Sequence, residues 1–236
     1  MRNIAAITAR ELSSYFNSSL AYVITGAFLL VNGYLFGIVV VNSRQASMDF
    51  AFSDMAIILM LLMPALTMRL LAEEQRTGTL ELLLTAPVRD IEVVLGKFLG
   101  MFVLFLAMLV PTLLYPYTLI TLGHPDIGTI VSGYLGIILV GSTFAAIGLL
   151  TSSLTQNQVV AAVLAFAFAL VLWLLDGMSQ AIHSSAGSFF SYIAISPHLD
   201  NFTRGSIQSK DIVYFLTTIL GLLFLTERVL EFRRWR

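Results

Sequence analysis

Val93–Leu122 reads VVLGKFLGMFVLFLAMLVPTLLYPYTLITL, and Lys97 is the only charge in it. A helix of about 20 apolar residues crosses a hydrocarbon core. This stretch is longer, so it tilts or extends beyond the bilayer, and Pro111 and Pro116 are expected to kink it. Working outward, Leu20–Val41 and Met55–Leu71 precede it, while Gly128–Leu150, Val159–Leu175 and Ile212–Thr226 follow. Each has the length and composition of a span, the last by continuing its helix toward Arg228. The predicted fold class is an all-α membrane protein with six transmembrane helices.

Composition agrees. Of 236 residues, 58% are hydrophobic and 11% charged, with a mean hydropathy of +0.88. A soluble domain carries about 25% charged residues, so this chain cannot coat a water-facing surface. The connections are too short for a second globular domain, and residues 1–236 read as one membrane domain. There are no cysteines, which removes disulfides, thiolate nucleophiles and Cys-ligated metals. A net charge of -1 without a basic block gives no reason to expect a nucleic-acid partner.

Before the first span, Ile4, Ala5, Ile7, Leu12 and Tyr15 recur at helical spacing over residues 2–16, with Arg2, Arg10 and Glu11 as polar members. Such a helix lies in the membrane interface rather than crossing it. Residues 1–19 lack a continuous apolar core and are not expected to act as a cleaved signal peptide.

Orientation follows from Lys and Arg in the connections. One set holds Arg2, Arg10, Arg69, Arg76, Arg89, Lys97, Arg228, Arg233, Arg234 and Arg236; the other holds Arg44, Arg204 and Lys210. Both termini are therefore expected in the cytoplasm, with 42–54, 123–127 and 176–211 outside. Arg69 and Lys97 sit near cytoplasmic span ends, where long side chains are expected to snorkel to the interface. Gly33/Gly37, Gly96/Gly100 and Gly141/Ala145 are small-residue pairs at four-residue spacing, suited to close helix packing within the subunit. Within 176–211, Phe189–Ile195 is apolar but too short to span, ending at Ser196-Pro197. Either outer re-entrant or interfacial helices, or a loop with a hydrophobic cluster, would give that pattern.

The connection Ala72–Lys97, AEEQRTGTLELLLTAPVRDIEVVLGK, is too apolar for a simple loop. Gly78 can open a short helix with Glu81 at its N3 position. Leu80, Leu83 and Leu84 then share one face, Glu81 and Thr85 another. Pro87 ends that helix, and Asp90 is read as the cap of the next, with Glu92 in its first turn. An amphipathic helix held outside the membrane between two spans can dock into a groove on a soluble partner.

Glu73-Glu74, Gly78-Thr79-Leu80-Glu81-Leu82-Leu83, Ala86-Pro87-Val88 and Gly96-Lys97 resemble a run in the permeases of type-2 ABC exporters. Arg10-Glu11-Leu12 with Tyr15-Phe16 and Ala21-Tyr22-Val23 resembles the start of that family. Gly148 through Ser152-Ser153, with Gln156-Asn157-Gln158, resembles its signature after the fourth span. Ser196-Pro197, Asn201-Phe202 and Arg204-Gly205 are similar to its gliding-motility and copper-processing branches.

The resemblance implies an elbow helix containing Arg10, Glu11 and Tyr15, followed by six spans and a coupling helix within the cytoplasmic segment 72–92. Glu73, Glu74, Gly78, Thr79, Leu80, Glu81, Leu82, Leu83, Leu84 and Pro87 would form the contact with a separate ATP-binding subunit. Ser152, Ser153, Gln156, Asn157 and Gln158 would make a second cytoplasmic contact, and 176–211 the outer re-entrant region. It also implies two permeases with two ATPases, in a bacterial inner membrane, and further membrane or periplasmic components are compatible with it. No G-x-x-x-x-G-K-[ST] run is present, so this chain binds no cofactor; ATP and Mg belong to the partner. The alternative within the family is a non-transporting scaffold or mechanotransmission subunit.

A rival from another class is an intramembrane enzyme built on Ser142, His124, His183 and His198. No H-E-x-x-H or G-x-S-x-G accompanies them, and exposed or interfacial histidines are the expectation. Nine methionines raise copper binding, but most lie in apolar spans as filler. The central thirds of the spans carry no charge, which favours a hydrophobic, lipid-linked or peptide cargo, or a mechanical role, over ion conduction.

Overall fold

The computed structural model describes residues 2–43, 47–79, 88–123, 125–181 and 185–234. Helix α1 spans Arg2–Phe16, the bounds that its apolar spacing predicts. Then come α2 (Ser19–Ser43), α3 (Asp49–Thr67), a single turn and a half of α4 (Ala72–Thr77), and α5 (Asp90–Leu109). A 3-10 turn at Val110–Leu113 leads into α6 (Leu114–Leu122), followed by α7 (Ile127–Leu154) and α8 (Gln158–Ala181). Helices α9 (Ser185–Ile193), α10 (Ile195–Thr203) and α11 (Ser209–Arg234) complete the order. Among the described residues there is no strand, and six helical stretches are long and apolar enough to cross a membrane. All six apolar segments read from the sequence are among them.

Helix ends run past the apolar segments where polar caps allow it. α3 begins at Asp49, ahead of Met55, because a carboxylate in the first turn suits the positive helix end. Asp126 Oδ1 accepts from the Gly128 N–H at 2.9 Å to start α7, and Asn157 Oδ1 accepts from the Val159 N–H at 2.9 Å to start α8. In the third span one interruption replaces the two expected kinks. Pro111 lies in the 3-10 turn, whereas Pro116 falls in the first turn of α6, where its missing N–H has no intrahelical partner to lose.

α7 is the hub, with 72% of its apolar stretch buried, and it packs against α3, α8, α10 and α11. α1 lies along α5. That approach depends on the Gly96/Gly100 pair: a Cβ at Gly96 would stand 2.7 Å from Ile7 Cβ, and one at Gly100 2.7 Å from Glu11 Cβ. Both glycines thus serve packing inside the subunit, and Thr8 Oγ1 donates to the Gly96 carbonyl at 3.1 Å across the same seam.

Candidate coupling site

The motif residues at one end of the bundle converge on Lys97. Its ammonium lies 2.6 Å from Glu11 Oε1 on α1 and 2.8 Å from Glu74 Oε1 on α4. The Lys97 side chain is 1% exposed, against 15% for Glu11 and 20% for Glu74. The expectation that Lys97 snorkels outward is therefore corrected. Gly96 and Gly100 bring α1 so close that water cannot reach the ammonium, and two carboxylates take the place of that hydration. Arg69, by contrast, is exposed.

Two more bonds fix the same corner. Tyr15 on α1 is buried and its hydroxyl donates to the Leu66 carbonyl at 3.0 Å. Burial, and then the Glu11 charge, push that hydroxyl far above the usual phenol range, so it stays a neutral donor. Asn3 Nδ2 donates to Glu92 Oε2 at 3.1 Å, and the same oxygen accepts from the Arg89 N–H at 3.1 Å. Arg89 is thus the N-cap of α5 and Glu92 its capping partner; Asp90, expected as the cap, is the first helical residue.

α4 is pinned from its other side by α7. Ser152 Oγ accepts from the N–H groups of Leu71 and Ala72, both at 2.9 Å, and donates to the Met68 carbonyl at 3.0 Å. Gln75 Nε2 donates to the Ser153 carbonyl at 2.9 Å. Ser152 and Ser153 are fully buried. Of the five residues expected in the second contact, Gln156 and Asn157 are exposed, Gln158 is half-buried, and Ser152 and Ser153 clamp the segment internally.

Gly78 closes α4 in the left-handed conformation, φ 72°, where a side chain is costly. It ends α4, and the helix it was expected to open lies outside the described residues. Thr79 is exposed, with its Oγ1 2.9 Å from Thr77 Oγ1, and Glu73 is exposed too. The remaining positions of the expected coupling helix, Leu80, Glu81, Leu82, Leu83, Leu84 and Pro87, lie outside the described residues. The structure therefore brings together Arg10, Glu11, Tyr15, Glu73, Glu74 and Ser152 around the base of that segment.

A comparison with protein families finds one whose model, described as ABC-2 family transporter protein, matches residues 35–203, well over half of the chain. The chain belongs to the ABC-2 transporter family. No curated protein matches it. As an ABC-2 permease it is a multi-pass membrane component of an ABC transporter, and the family works with an ATP-binding ABC subunit. The matched region includes Glu74, Lys97 and Ser152 but not Glu11.

At the opposite end of the ABC-2 permease, α9 and α10 sit against α7, α8 and α11. Ser196 and Pro197, expected to end an apolar segment, lie in the first turn of α10. His198 is 5% exposed, which corrects the expectation of an exposed or interfacial histidine. His124 and His183 lie outside the described residues. His198 Nδ1 is 2.6 Å from Asp211 Oδ1 on the fully buried Asp211, and Nε2 is 3.0 Å from the Tyr192 carbonyl. Asn201 Nδ2 donates to Asp211 Oδ2 at 2.9 Å, and the imidazole stacks on Tyr214 with ring centroids 4.0 Å apart. Both ring nitrogens and both carboxylate oxygens are occupied, so the pair joins α9, α10 and α11 and leaves no free base. Ser142 donates to the Ile138 carbonyl at 2.6 Å inside its own helix, which argues against the enzyme reading.

Proposed function

We propose that this ABC-2 permease is the membrane half of an exporter, in which a separate ATPase binds ATP and Mg and drives movement through the segment Gly78–Pro87. The observation that carries the reading is the Lys97 bridge. A push on α4 reaches α5 through Glu74 and Lys97, reaches α1 through Glu11, and reaches α7 through Ser152. Packed, hydrogen-bonded elements of this kind move as a unit. Leu83 and Leu84 are the groove-filling residues in this account, with Glu73, Glu74 and Glu81 near its rim.

Both termini, α4 and the 151–158 connection face the cytoplasm of a bacterial inner membrane in this reading, by the bias in basic residues. The end-to-end layout supports it: Arg233 on α11 donates to the Leu154 carbonyl at 3.2 Å, which keeps the C-terminal helix at the α1 end. Two permeases face one another. The first and fifth spans are the least covered, with 17% and 22% of their apolar stretches buried, and are the surfaces for a second copy or a related chain.

The test is reconstitution. Co-expressed with its cognate ATP-binding subunit, the permease should copurify as two permeases with two ATPases and stimulate ATP turnover. Native mass spectrometry showing one permease per assembly would defeat the dimer, and turnover indifferent to the permease would defeat the coupling.

A further inference from the structure

Between α1 and the corner joining α3 to α4 lies a cavity of about 210 Å³ whose wall is charged on both signs. Lys97 is engaged by Glu11 and Glu74. Arg10 and Arg69 also line the cavity and are exposed, and among the described residues no ion pair holds either guanidinium. Glu73 lines it as well, and Glu74 Oε2 is buried there with no hydrogen-bond partner. The unmatched groups are thus two cations, one carboxylate and one carboxylate oxygen in need of a donor.

A second space of about 130 Å³ is almost wholly apolar and shares Tyr15 with the first. Tyr22, Leu104 and Met108 are among its walls, so it runs along the first and third spans at membrane depth. The charged cavity sits where α2 begins and α3 ends, since Ser18, Leu20, Arg69 and Leu70 line it. A polar chamber level with the span ends, next to an apolar groove between spans, fits an amphiphile.

We infer that the elbow corner binds one phospholipid bearing a phosphodiester and a primary ammonium group, with its headgroup in the charged cavity and one acyl chain in the groove below. Arg10 and Arg69 take the phosphate oxygens, a role for which the guanidinium fork is suited. The ammonium donates to Glu74 Oε2 and lies beside Glu73, satisfying the buried oxygen. A phosphatidylglycerol headgroup offers Glu74 only neutral hydroxyl donors and no positive charge, and a choline headgroup has no N–H. The cavity is smaller than the roughly 300–1,000 Å³ of drug-sized pockets, which suits a headgroup. This inference does not rest on the ATPase partner.

The experiment uses the purified full-length chain, delipidated in detergent, with native mass spectrometry after addition of phosphatidylethanolamine, phosphatidylglycerol or phosphatidylcholine. Phosphatidylethanolamine should be retained at least tenfold more strongly than the other two. Arg69→Ala with Arg10→Ala should weaken phosphatidylethanolamine retention at least tenfold, and Ala107→Trp, which fills the groove, should weaken it too while the helical content stays unchanged. Free phosphoethanolamine and inorganic phosphate should bind at least tenfold more weakly than the lipid. Equal retention of the three lipids overturns the proposal, as does retention indifferent to the arginines. Equal binding of the soluble headgroup or of phosphate also overturns it, because the groove would then contribute nothing.

Discussion

Lys97 on the third span lies 2.8 Å from Glu74 on α4, and the ammonium is almost sealed from solvent. That link ties a short helix outside the apolar segments to a span that carries no other charge over Val93–Leu122. Buried ion pairs are costly to break from one side, because the partner is left charged without hydration.

Lys97→Met should therefore lower unfolding stability by about 3 kcal/mol, the lower end of the range for breaking a buried pair, since both carboxylates keep some solvent contact. Thermal unfolding in detergent checks it. The triple change Lys97→Met, Glu11→Gln, Glu74→Gln should recover part of the loss. An unchanged midpoint for Lys97→Met alone would mean the pair contributes nothing.

Ser152→Ala should expose a different weakness. It leaves the Leu71 and Ala72 N–H groups without an acceptor, at a cost of about 1–3 kcal/mol for unsatisfied buried groups. Hydrogen exchange read at Leu71 and Ala72 should accelerate while amides in the centre of α7 stay protected. Uniform acceleration through the bundle would instead point to global destabilisation.

The hydrophobic pattern was a good guide to the spans and to α1, because apolar run length and 3.6-residue periodicity report directly on which surface must avoid water. It could not tell where Lys97 would go. A lysine near a span end can snorkel or pair, and the choice is made by Glu11 and Glu74, which are distant in sequence. The charged pairs Arg10-Glu11 and Glu73-Glu74, on the same side as Lys97 by the topology, were the signal available. Ser152-Ser153 was legible as a motif but not as an internal clamp, since a serine in a connection reads as exposed. His198 was hidden for a similar reason: nothing local to Ser196–Asn201 announces a carboxylate on the next helix.

The His198–Asp211 pair should behave as a unit. His198→Phe keeps a ring against Tyr214 but leaves Asp211, 0% exposed, with Asn201 alone, and should cost about 3–5 kcal/mol. Adding Asp211→Leu should return much of that stability, because an apolar pair of similar size is tolerated where a lone charge is not. Additive losses in the double-mutant cycle would contradict the pairing.

Topology can be read without background, because the chain has no cysteine. Single cysteines placed at Ser47 and Ser185 should label with a membrane-impermeant reagent in intact cells, and one at Thr79 only after lysis. Labelling at Thr79 in sealed cells would invert the orientation and with it the proposed ATPase face.

The central claim is that Gly78–Pro87 conveys the ATPase's motion into the spans. Burying one leucine in a partner groove is worth roughly 1.5–3 kcal/mol, so Leu83→Asp should weaken association with the ATPase at least tenfold. Glu81→Gln should do less, since a rim ion pair contributes about 0–1 kcal/mol. The decisive measurement is ATPase binding and permease-stimulated ATP turnover for Leu83→Asp in the reconstituted complex. Loss of both, with the six-span fold intact by thermal unfolding, is the predicted result; wild-type binding and turnover would contradict the account.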